Sequence, residues 1–184
     1  MKKNKQHCDL MVIDNFLPEG DFKRLKMIFN DPNFAWFRNE GISSLDSTMN
    51  TTQSALDNYY FVHLLYLHHR PMSNYFDEVM DVIYDPLREK LGNTFRQIYR
   101  LKVNMYPRTE EVQVHPWHTD SQEIEGLMGC LFFMNTCDGY TGFSDGTEVD
   151  SVENRIVVFD STQKHFSTSC SNAPVRSTFN VNFL

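Results

Sequence analysis

Two segments in the first half of the chain repeat apolar residues at the spacing of an amphipathic helix. The first is 16–31, where Pro18 suits the first helical position. The second is 73–93, where Gly92 is typical of a helix end and Pro86 predicts a kink. The apolar residues that fall on one face of each segment are Phe22, Leu25 and Phe29 in the first, and Phe76, Val79, Met80, Ile83 and Leu87 in the second.

Other segments carry the patterns of β-strands, and most of them lie after residue 94. The predicted strands lie within 58–67, 95–107, 126–135, 155–161 and 176–184, and the first of them is expected to be a buried strand. Turn-forming residues separate the later ones, at 137–148 and 169–174. Helices followed by many short strands predict a mainly β protein, an antiparallel sandwich or barrel that carries its N-terminal helices on one side.

Two of these strands alternate in a way that separates an apolar face from a polar one. In 95–107, Tyr99, Leu101, Val103 and Met105 alternate with Arg100, Lys102, Asn104 and Tyr106. In the last strand, Phe179, Val181 and Phe183 form a core face opposite Arg176, Thr178 and Asn180. Each polar face is either exposed to solvent or turned towards the interior of a barrel, and the alternation alone does not decide between them.

Composition and charge argue against a nucleic-acid-binding, a membrane-spanning or a secreted protein. The chain has 184 residues, which suits one domain, and its net charge is −7 with no basic run beyond the first five residues, which argues against a nucleic-acid partner. No apolar run approaches the ~18 residues of a membrane helix. The N-terminus lacks the apolar core of a signal peptide. We therefore expect a cytoplasmic protein, whose four scattered cysteines are free thiols.

The segment 114–122, VHPWHTDSQ, carries the strongest candidate chemistry. His118 and Asp120 are two residues apart, so in an extended segment their side chains point to the same face and can reach one metal ion. The motif is weak by itself, because His7-Cys8-Asp9 repeats it in a polar terminal segment where we expect no site. A solvated pair, with Asp120 capping a turn, is the alternative.

Residues downstream give this motif a context that the N-terminal copy lacks. His165 follows the predicted strand 155–161, and Arg176 begins the last strand eleven residues later. Two neutral imidazoles and one carboxylate on one face of Fe(II) leave positions open for substrate and dioxygen. An arginine offers a fixed fork for a carboxylate, and Thr178 on the same face adds a hydroxyl.

The order H-x-D, distant His, then Arg resembles the iron(II)- and 2-oxoglutarate-dependent dioxygenases, most closely the prolyl-hydroxylase-like branch. Arg176-Ser177-Thr178 matches the R-x-[ST] of many members, and Asn104-Met105-Tyr106 is similar to the N-x-Y of the alkyl-repair branch. Segment 139–149 resembles the glycine-rich turn between the metal motif and the distal histidine. The resemblance covers about 95–184 and implies a double-stranded β-helix (jelly-roll) core, with helical support over about 1–94, in a single oxygenase domain of 1–184.

The resemblance also implies a cofactor set and roles. Fe(II) is expected on His118, Asp120 and His165, which are then the catalytic residues. The co-substrate 2-oxoglutarate is expected to pair its far carboxylate with Arg176, with Thr178, Asn104 and Tyr106 as further contacts, and dioxygen takes the remaining position. Collagen-type prolyl hydroxylases carry Lys where this chain has Arg176, so the substrate is left open between a peptide side chain and a small molecule.

Several alternatives remain open at this point. The same fold could serve a nucleobase dealkylase, or a non-catalytic jelly-roll module whose metal is structural, with Cys170 as a further ligand. His115 faces away from His118 on a strand and is expected to be a loop histidine, and Trp117 a packing residue. Entrance positions are suggested for Tyr59, Tyr60 and His63, whereas His68-His69 is expected in a surface loop.

Overall fold

The computed structural model describes residues 10–41, 59–121 and 124–184. The N-terminal H-x-D copy at His7 lies outside these residues. Two helices are present, α1 (Glu19–Phe29) and α2 (Phe76–Leu91), and a 3-10 turn (Gly92–Thr94) follows the second. The strands are β1 (Met11–Ile13), β2 (Phe37–Glu40), β3 (Tyr59–Leu67), β4 (Arg70–Pro71), β5 (Ile98–Pro107), β6 (Met128–Phe133), β7 (Tyr140–Phe143), β8 (Glu148–Asp150), β9 (Arg155–Asp160), β10 (His165–Ser167) and β11 (Val175–Phe183).

The strands form two antiparallel sheets of unequal size. The larger has the order β1-β9-β6-β11-β5-β3-β2, with β4 paired to β3. The smaller has the order β10-β7-β8. This is the mainly β, jelly-roll architecture that the strand pattern and the resemblance predicted. The described N-terminal half also supplies strands, because β1 extends one end of the larger sheet and β2 and β3 extend the other.

The helices cover the outer face of the larger sheet, where the predicted apolar faces meet. Phe29 of α1 packs edge-on against Phe179 of β11, with ring centroids 5.4 Å apart. Val79, Ile83 and Leu87 of α2 are almost completely buried. Pro18 caps α1, so the helix begins one position later than predicted. Each such apolar side chain contributes roughly 1.5–3 kcal/mol by its burial, which is why the outer face is the main core.

The five strand predictions hold with one difference in burial, but the segment 137–148, predicted as a turn, contains strand β7. All five predicted segments contain a strand, but β3 is mostly half-buried, and His63 and Leu65 are its only fully buried residues. The turn His68-His69 between β3 and β4 is exposed, as predicted, and both residues adopt positive φ angles. Gly92 ends α2 as predicted, also with a positive φ of 55°.

The inner faces of the two sheets enclose a second, smaller apolar core and, directly beside it, a polar pocket. Leu131, Phe133, Phe143 and Phe159 belong to that apolar core. The polar faces of β5 and β11 point into the pocket. Within the described residues, no helix is both long and apolar enough to cross a membrane.

Candidate active site

The central strands β5 and β11 form one wall of the pocket, and their register pairs the polar side chains of the two strands. The antiparallel pairing sets Tyr106 opposite Arg176, Asn104 opposite Thr178, Lys102 opposite Asn180 and Arg100 opposite Asn182. Both strands turn their apolar residues towards the helices, so every second side chain must face the pocket. The polar faces therefore point inwards, which the alternation in the sequence had left undecided. The pocket has a volume of about 230 Å³.

His118 and His165 lie side by side at the edge of the smaller sheet. The two residues form an isolated antiparallel bridge in which each backbone N–H donates to the other's carbonyl at 2.9 Å. Their ring centroids are 4.4 Å apart. His165 is the first residue of β10, so the pairing of this strand places its imidazole beside that of His118, although the two residues are far apart in the chain. Sequence spacing alone contains no information about this pairing.

Asp120 completes a cluster with these two histidines. One ligand atom from each of His118, Asp120 and His165 lies within 4.8 Å of those of the other two. The backbone N–H of Asp120 donates to the Ser161 carbonyl at 3.0 Å, which holds the H-x-D segment beside the end of β9. The three side chains can therefore surround one ion. Among the described residues the cluster contains no cysteine, and the Cys170 thiol instead points at the Ala173 carbonyl, 3.4 Å away.

Backbone carbonyls orient both imidazoles. Nδ1 of His118 lies 3.3 Å from the Pro116 carbonyl, and Nδ1 of His165 lies 3.0 Å from the Gln163 carbonyl. A carbonyl only accepts, so each Nδ1 carries the proton and each Nε2 is the free lone pair. This is the usual outer arrangement of metal-binding histidines. Burial, with help from the neighbouring His165, lowers the pKa of His118 to about 4, so its ring is neutral at pH 7.

The Asp120 carboxylate is held ionised by two residues that sequence reasoning had not assigned. Arg100 donates to one carboxylate oxygen at 3.0 Å and the Asn182 amide to the other at 2.9 Å. Burial would raise the pKa of Asp120, but the Arg100 charge, the histidines and the Asn182 hydrogen bond outweigh it and hold that pKa at about 2. A signal existed in the sequence, since Asn182 and Arg100 continue the polar faces of their strands.

Arg176 is a buried cation at the far end of the pocket. Its exposed fraction is 0%, and it donates to the Ser151 and Thr141 hydroxyls at 2.8 Å and to the Thr168 carbonyl at 3.2 Å. No carboxylate forms an ion pair with it anywhere in the described chain. Burial lowers the pKa of Arg176, which nevertheless stays protonated because guanidinium groups do not lose their proton in proteins. A buried charge without a counter-charge is costly, so this position favours an anionic ligand.

The other predicted contacts line the same pocket. Thr178 and Asn104 are each 2% exposed, and the Asn104 amide donates to Asn180 at 3.0 Å. The Asn104 Oδ1 atom is buried without a hydrogen-bond partner among the described residues. A half-turn of both amides keeps the Asn104–Asn180 bond and places an Asn104 N–H where the unpartnered oxygen lies. Tyr106 stacks on Tyr60 at 5.5 Å, and burial raises its pKa to about 12, so it is a neutral hydroxyl donor.

The remaining candidates divide between this pocket and other places. Tyr60 lines the pocket, whereas His63 is buried on the other side of β3 and bonds Ser73 at 2.7 Å. His115 is a loop residue as expected but is buried, with Nδ1 2.7 Å from the Ser167 hydroxyl. Trp117 packs edge-on against Phe166 at 4.6 Å, which fits the packing role predicted for it.

Comparisons with known proteins identify the fold. No family model and no curated protein matches the chain. Among solved structures, it is similar to a 2-oxoglutarate–Fe(II) oxygenase-family oxidoreductase from Burkholderia pseudomallei, with a TM-score of 0.68 and 9% identity over 95% of this chain and 84% of that one. A Pseudomonas putida prolyl-4-hydroxylase gives 0.58 and 14%, over 97% and 92% of the two chains.

A third solved structure is a Trichoplax adhaerens prolyl hydroxylase in complex with a peptide fragment of the hypoxia-inducible factor oxygen degradation domain. It gives a TM-score of 0.59 and 15% identity, over 95% of this chain and 83% of that chain. The chain therefore has the fold of the 2-oxoglutarate- and Fe(II)-dependent oxygenases, and its structural neighbours include prolyl hydroxylases. At these identities the similarity establishes the architecture, and the chemistry rests on the residues of the pocket.

Proposed function

We propose that this protein is an Fe(II)- and 2-oxoglutarate-dependent oxygenase that hydroxylates a small molecule or a peptide side chain. One observation carries the proposal. Arg176 is buried and has no anionic partner among the described residues, and it shares a pocket with a cluster of two imidazoles and a carboxylate at His118, Asp120 and His165. A metal site alone does not require the arginine, and a carboxylate site alone does not require the cluster.

The donor set of the cluster suits Fe(II). Two neutral imidazoles and one carboxylate are the ligands of non-haem iron oxygenases, and they leave coordination positions for other molecules. The free Nε2 atoms of His118 and His165 and an Asp120 carboxylate oxygen would hold the ion. A structural zinc site normally closes its fourth position with cysteine or histidine, and no such residue joins this cluster among those described.

The rest of the pocket suits 2-oxoglutarate. The Arg176 fork would bind the far carboxylate in a bidentate manner, with Thr178, Asn104 and Tyr106 as further donors. When bound, Fe(II) with 2-oxoglutarate and dioxygen supplies the oxidising chemistry, in which 2-oxoglutarate is decarboxylated to succinate. The chain's own residues hold the ligands: Arg100 and Asn182 keep Asp120 ionised and oriented, and Tyr106 with Tyr60 closes one wall against water.

The similar structures and the charge of the chain support this choice of substrate class. One neighbour is a prolyl hydroxylase with a bound peptide, and another is a carbocyclase from nogalamycin biosynthesis, with a TM-score of 0.61 and 10% identity. A nucleobase substrate is disfavoured, because the net charge of −7 works against attraction of a phosphate backbone. Action in the cytoplasm is part of the proposal.

An anaerobic titration of metal-free protein with Fe(II) and 2-oxoglutarate tests the assignment. The wild type is expected to develop the weak visible charge-transfer band of the iron chelate. Asp120→Ala should lose the metal, and Arg176→Met should retain the metal but bind 2-oxoglutarate at least ~10-fold more weakly. The exposed residues Asp85 and Arg88 provide matched controls, Asp85→Ala and Arg88→Met, which should behave as the wild type.

The same samples, exposed to air with ascorbate added as the reductant in place of the substrate, should release succinate in the wild type and in both controls. Metal binding without a chelate band would contradict the proposal and leave a non-catalytic metal-binding module. Unchanged 2-oxoglutarate affinity in Arg176→Met would remove the co-substrate assignment, even if Asp120→Ala lost the metal.

A further inference from the structure

The pocket contains more positive charge than its proposed ligands require. Arg100, Lys102 and Arg176 all line it, and Asp120 is the only carboxylate among the described lining residues. Two of these cations have a function already. Arg100 holds the Asp120 carboxylate, and Arg176 lies where the co-substrate carboxylate is proposed to bind. Lys102 is the one of the three that has no such function.

The Lys102 ammonium has no hydrogen bond and no ion pair with any other described residue. The centroid of the Tyr60 ring lies 5.9 Å from Nζ, and the charges of Arg100 and Asp120 also act on the group. Burial, with the Arg100 charge, lowers the pKa of Lys102 to about 8, so the group is still mostly protonated at pH 7. A half-buried ammonium without an ion pair gains free energy from an anion that enters the pocket.

The strand register separates Lys102 from the carboxylate site at Arg176. Lys102 lies opposite Asn180, whereas Arg176 lies opposite Tyr106, four residues further along β5. Four residues of a strand span about 13 Å. Lys102 is instead next to the pair Arg100 and Asn182, which holds Asp120, so it lies at the metal-cluster end of the pocket. A group bound there would be beside the proposed iron, where a substrate must be positioned to react.

We propose that Lys102 is a specificity-determining residue that forms an ion pair with a carboxylate of the oxidised substrate, so the substrate is a small organic acid or an acylated amino acid. The inference rests on the proposed function and deepens it. A single ammonium balances the single charge of a carboxylate, whereas a phosphate monoester carries close to two charges at pH 7. The Tyr60 ring beside Nζ provides an apolar wall for the carbon skeleton next to that carboxylate.

Matched pairs of acids and amides test this directly. Wild-type protein is loaded with Mn(II), which binds as Fe(II) does but allows no turnover in this assay, and with saturating 2-oxoglutarate, whose binding is measured first by calorimetry. N-acetyl amino acids and their C-terminal primary amides are then compared as ligands by ligand-observed NMR. At least one acid is expected to bind about tenfold or more tightly than its own amide.

Variants assign that preference to Lys102. The preference should disappear in Lys102→Met, persist in weakened form in Lys102→Arg, and remain unchanged in Lys23→Met, where the lysine is an exposed helix residue. The Mn(II) and 2-oxoglutarate affinities of Lys102→Met should match the wild type within about threefold. The retained charge in Lys102→Arg separates loss of the ion pair from a general disturbance of the pocket.

Three results would overturn the inference. One is that no acid binds, or that acids and amides bind equally well to the wild type. Another is that the preference survives in Lys102→Met. The third is that Lys102→Met weakens 2-oxoglutarate and not the acids, because Lys102 would then serve the near carboxylate of the co-substrate. Failure of the wild type to bind 2-oxoglutarate at the first step would instead reject the proposed function, and the inference with it.

Discussion

Individual side chains in this pocket owe their chemistry to neighbours that lie far away in the chain. Asp120 is ionised because Arg100 and Asn182 reach it from β5 and β11, and both imidazoles are oriented by carbonyls of their own loops. Such outer contacts do not touch a metal, but they set the direction and the charge of the groups that do. Two predictions concern single side chains of this kind.

Replacement of Asn182 by alanine should weaken metal binding without removing any ligand. The Asn182 amide donates a hydrogen bond of 2.9 Å to the Asp120 carboxylate. Without that bond, the carboxylate can rotate away from the cluster. Loss of an outer contact of this type typically reduces metal affinity about 10–100-fold. Competition between the protein and a chromophoric chelator for Mn(II) measures the change. Asn93→Ala, at an exposed position in the 3-10 turn after α2, is the control, and equal affinities for the wild type and Asn182→Ala would refute the prediction.

Acid should destabilise the metal-free protein through its buried neutral histidines. Burial, with Arg176 and His118 nearby, lowers the pKa of His115 from 6.5 to about 3. Below pH 6.5 the His115 imidazole therefore binds a proton in the unfolded chain but not in the folded chain. The neutral, buried His115 costs no stability above pH 6.5, and the free energy of unfolding decreases as the pH falls towards 3. The change from this residue is about 2 kcal/mol between pH 6.5 and pH 5.

Urea unfolding at pH 6.5 and pH 5 measures this effect. His115→Gln, which stays neutral, should lose about 2 kcal/mol less stability over that interval than the wild type. His68→Gln, at an exposed turn, should follow the wild type. A wild-type pH dependence that His115→Gln leaves intact would show that His115 is protonated equally in both states.

The strands and turns around the pocket are packed closely enough to position its charges. Gly139 lies directly before β7, and a Cβ atom there would come within 2.5 Å of Arg176 Cδ and 2.5 Å of the Ser169 backbone oxygen. The backbone at Ser169 is part of the segment after β10 and cannot move independently of the smaller sheet. Close packing of this element therefore holds the guanidinium in its place.

Gly139→Ala should consequently reduce both stability and 2-oxoglutarate affinity. Overpacking of this kind costs about 1–3 kcal/mol in the free energy of unfolding, and displacement of Arg176 adds a loss of affinity. Gly20→Ala is the matched control, because nothing lies within 4 Å of its added Cβ and helix α1 should gain about 0.5–1 kcal/mol. Urea unfolding and calorimetry give the two quantities, and wild-type affinity in a destabilised Gly139→Ala would show that Arg176 is positioned independently.

The molecule as a whole should be stabilised by its proposed ligands in a fixed order. A ligand that binds only the folded state raises the free energy of unfolding by about 2.7 kcal/mol at 100 times its dissociation constant. For a chain of this length that corresponds to a rise of about 5–10 °C in the unfolding midpoint. Mn(II) and 2-oxoglutarate together should raise the midpoint more than Mn(II) alone, and a chelator should reverse both effects.

Arg176→Met separates the two contributions in the same thermal unfolding experiment. Its midpoint should still rise with Mn(II), because the cluster is intact, but 2-oxoglutarate should add nothing further. Lys23→Met, with its exposed lysine, should respond as the wild type does. An equal rise with 2-oxoglutarate in Arg176→Met would contradict the arrangement proposed for the pocket.

Much of this protein was predictable from local patterns. Apolar spacing predicted α1, α2 and five of the strand segments, because periodicity records which side chains share a face. The order of His118, Asp120, His165 and Arg176 suggested the fold only through its resemblance to a known family. The roles of Arg100, Asn182 and Lys102 were not predictable in this way. Their strand faces were visible in the sequence, but the same alternation describes a face exposed to water.

The sequence by itself therefore determined the elements, their faces and the set of residues capable of metal and carboxylate chemistry. Only the tertiary structure decided that the polar faces of β5 and β11 enclose a pocket, that His165 lies opposite His118, and that Arg176 is buried without a counter-charge. The physical reason is the range of the interactions. Side-chain direction follows from a few neighbouring dihedral angles, whereas strand register and burial depend on pairing between segments distant in the chain.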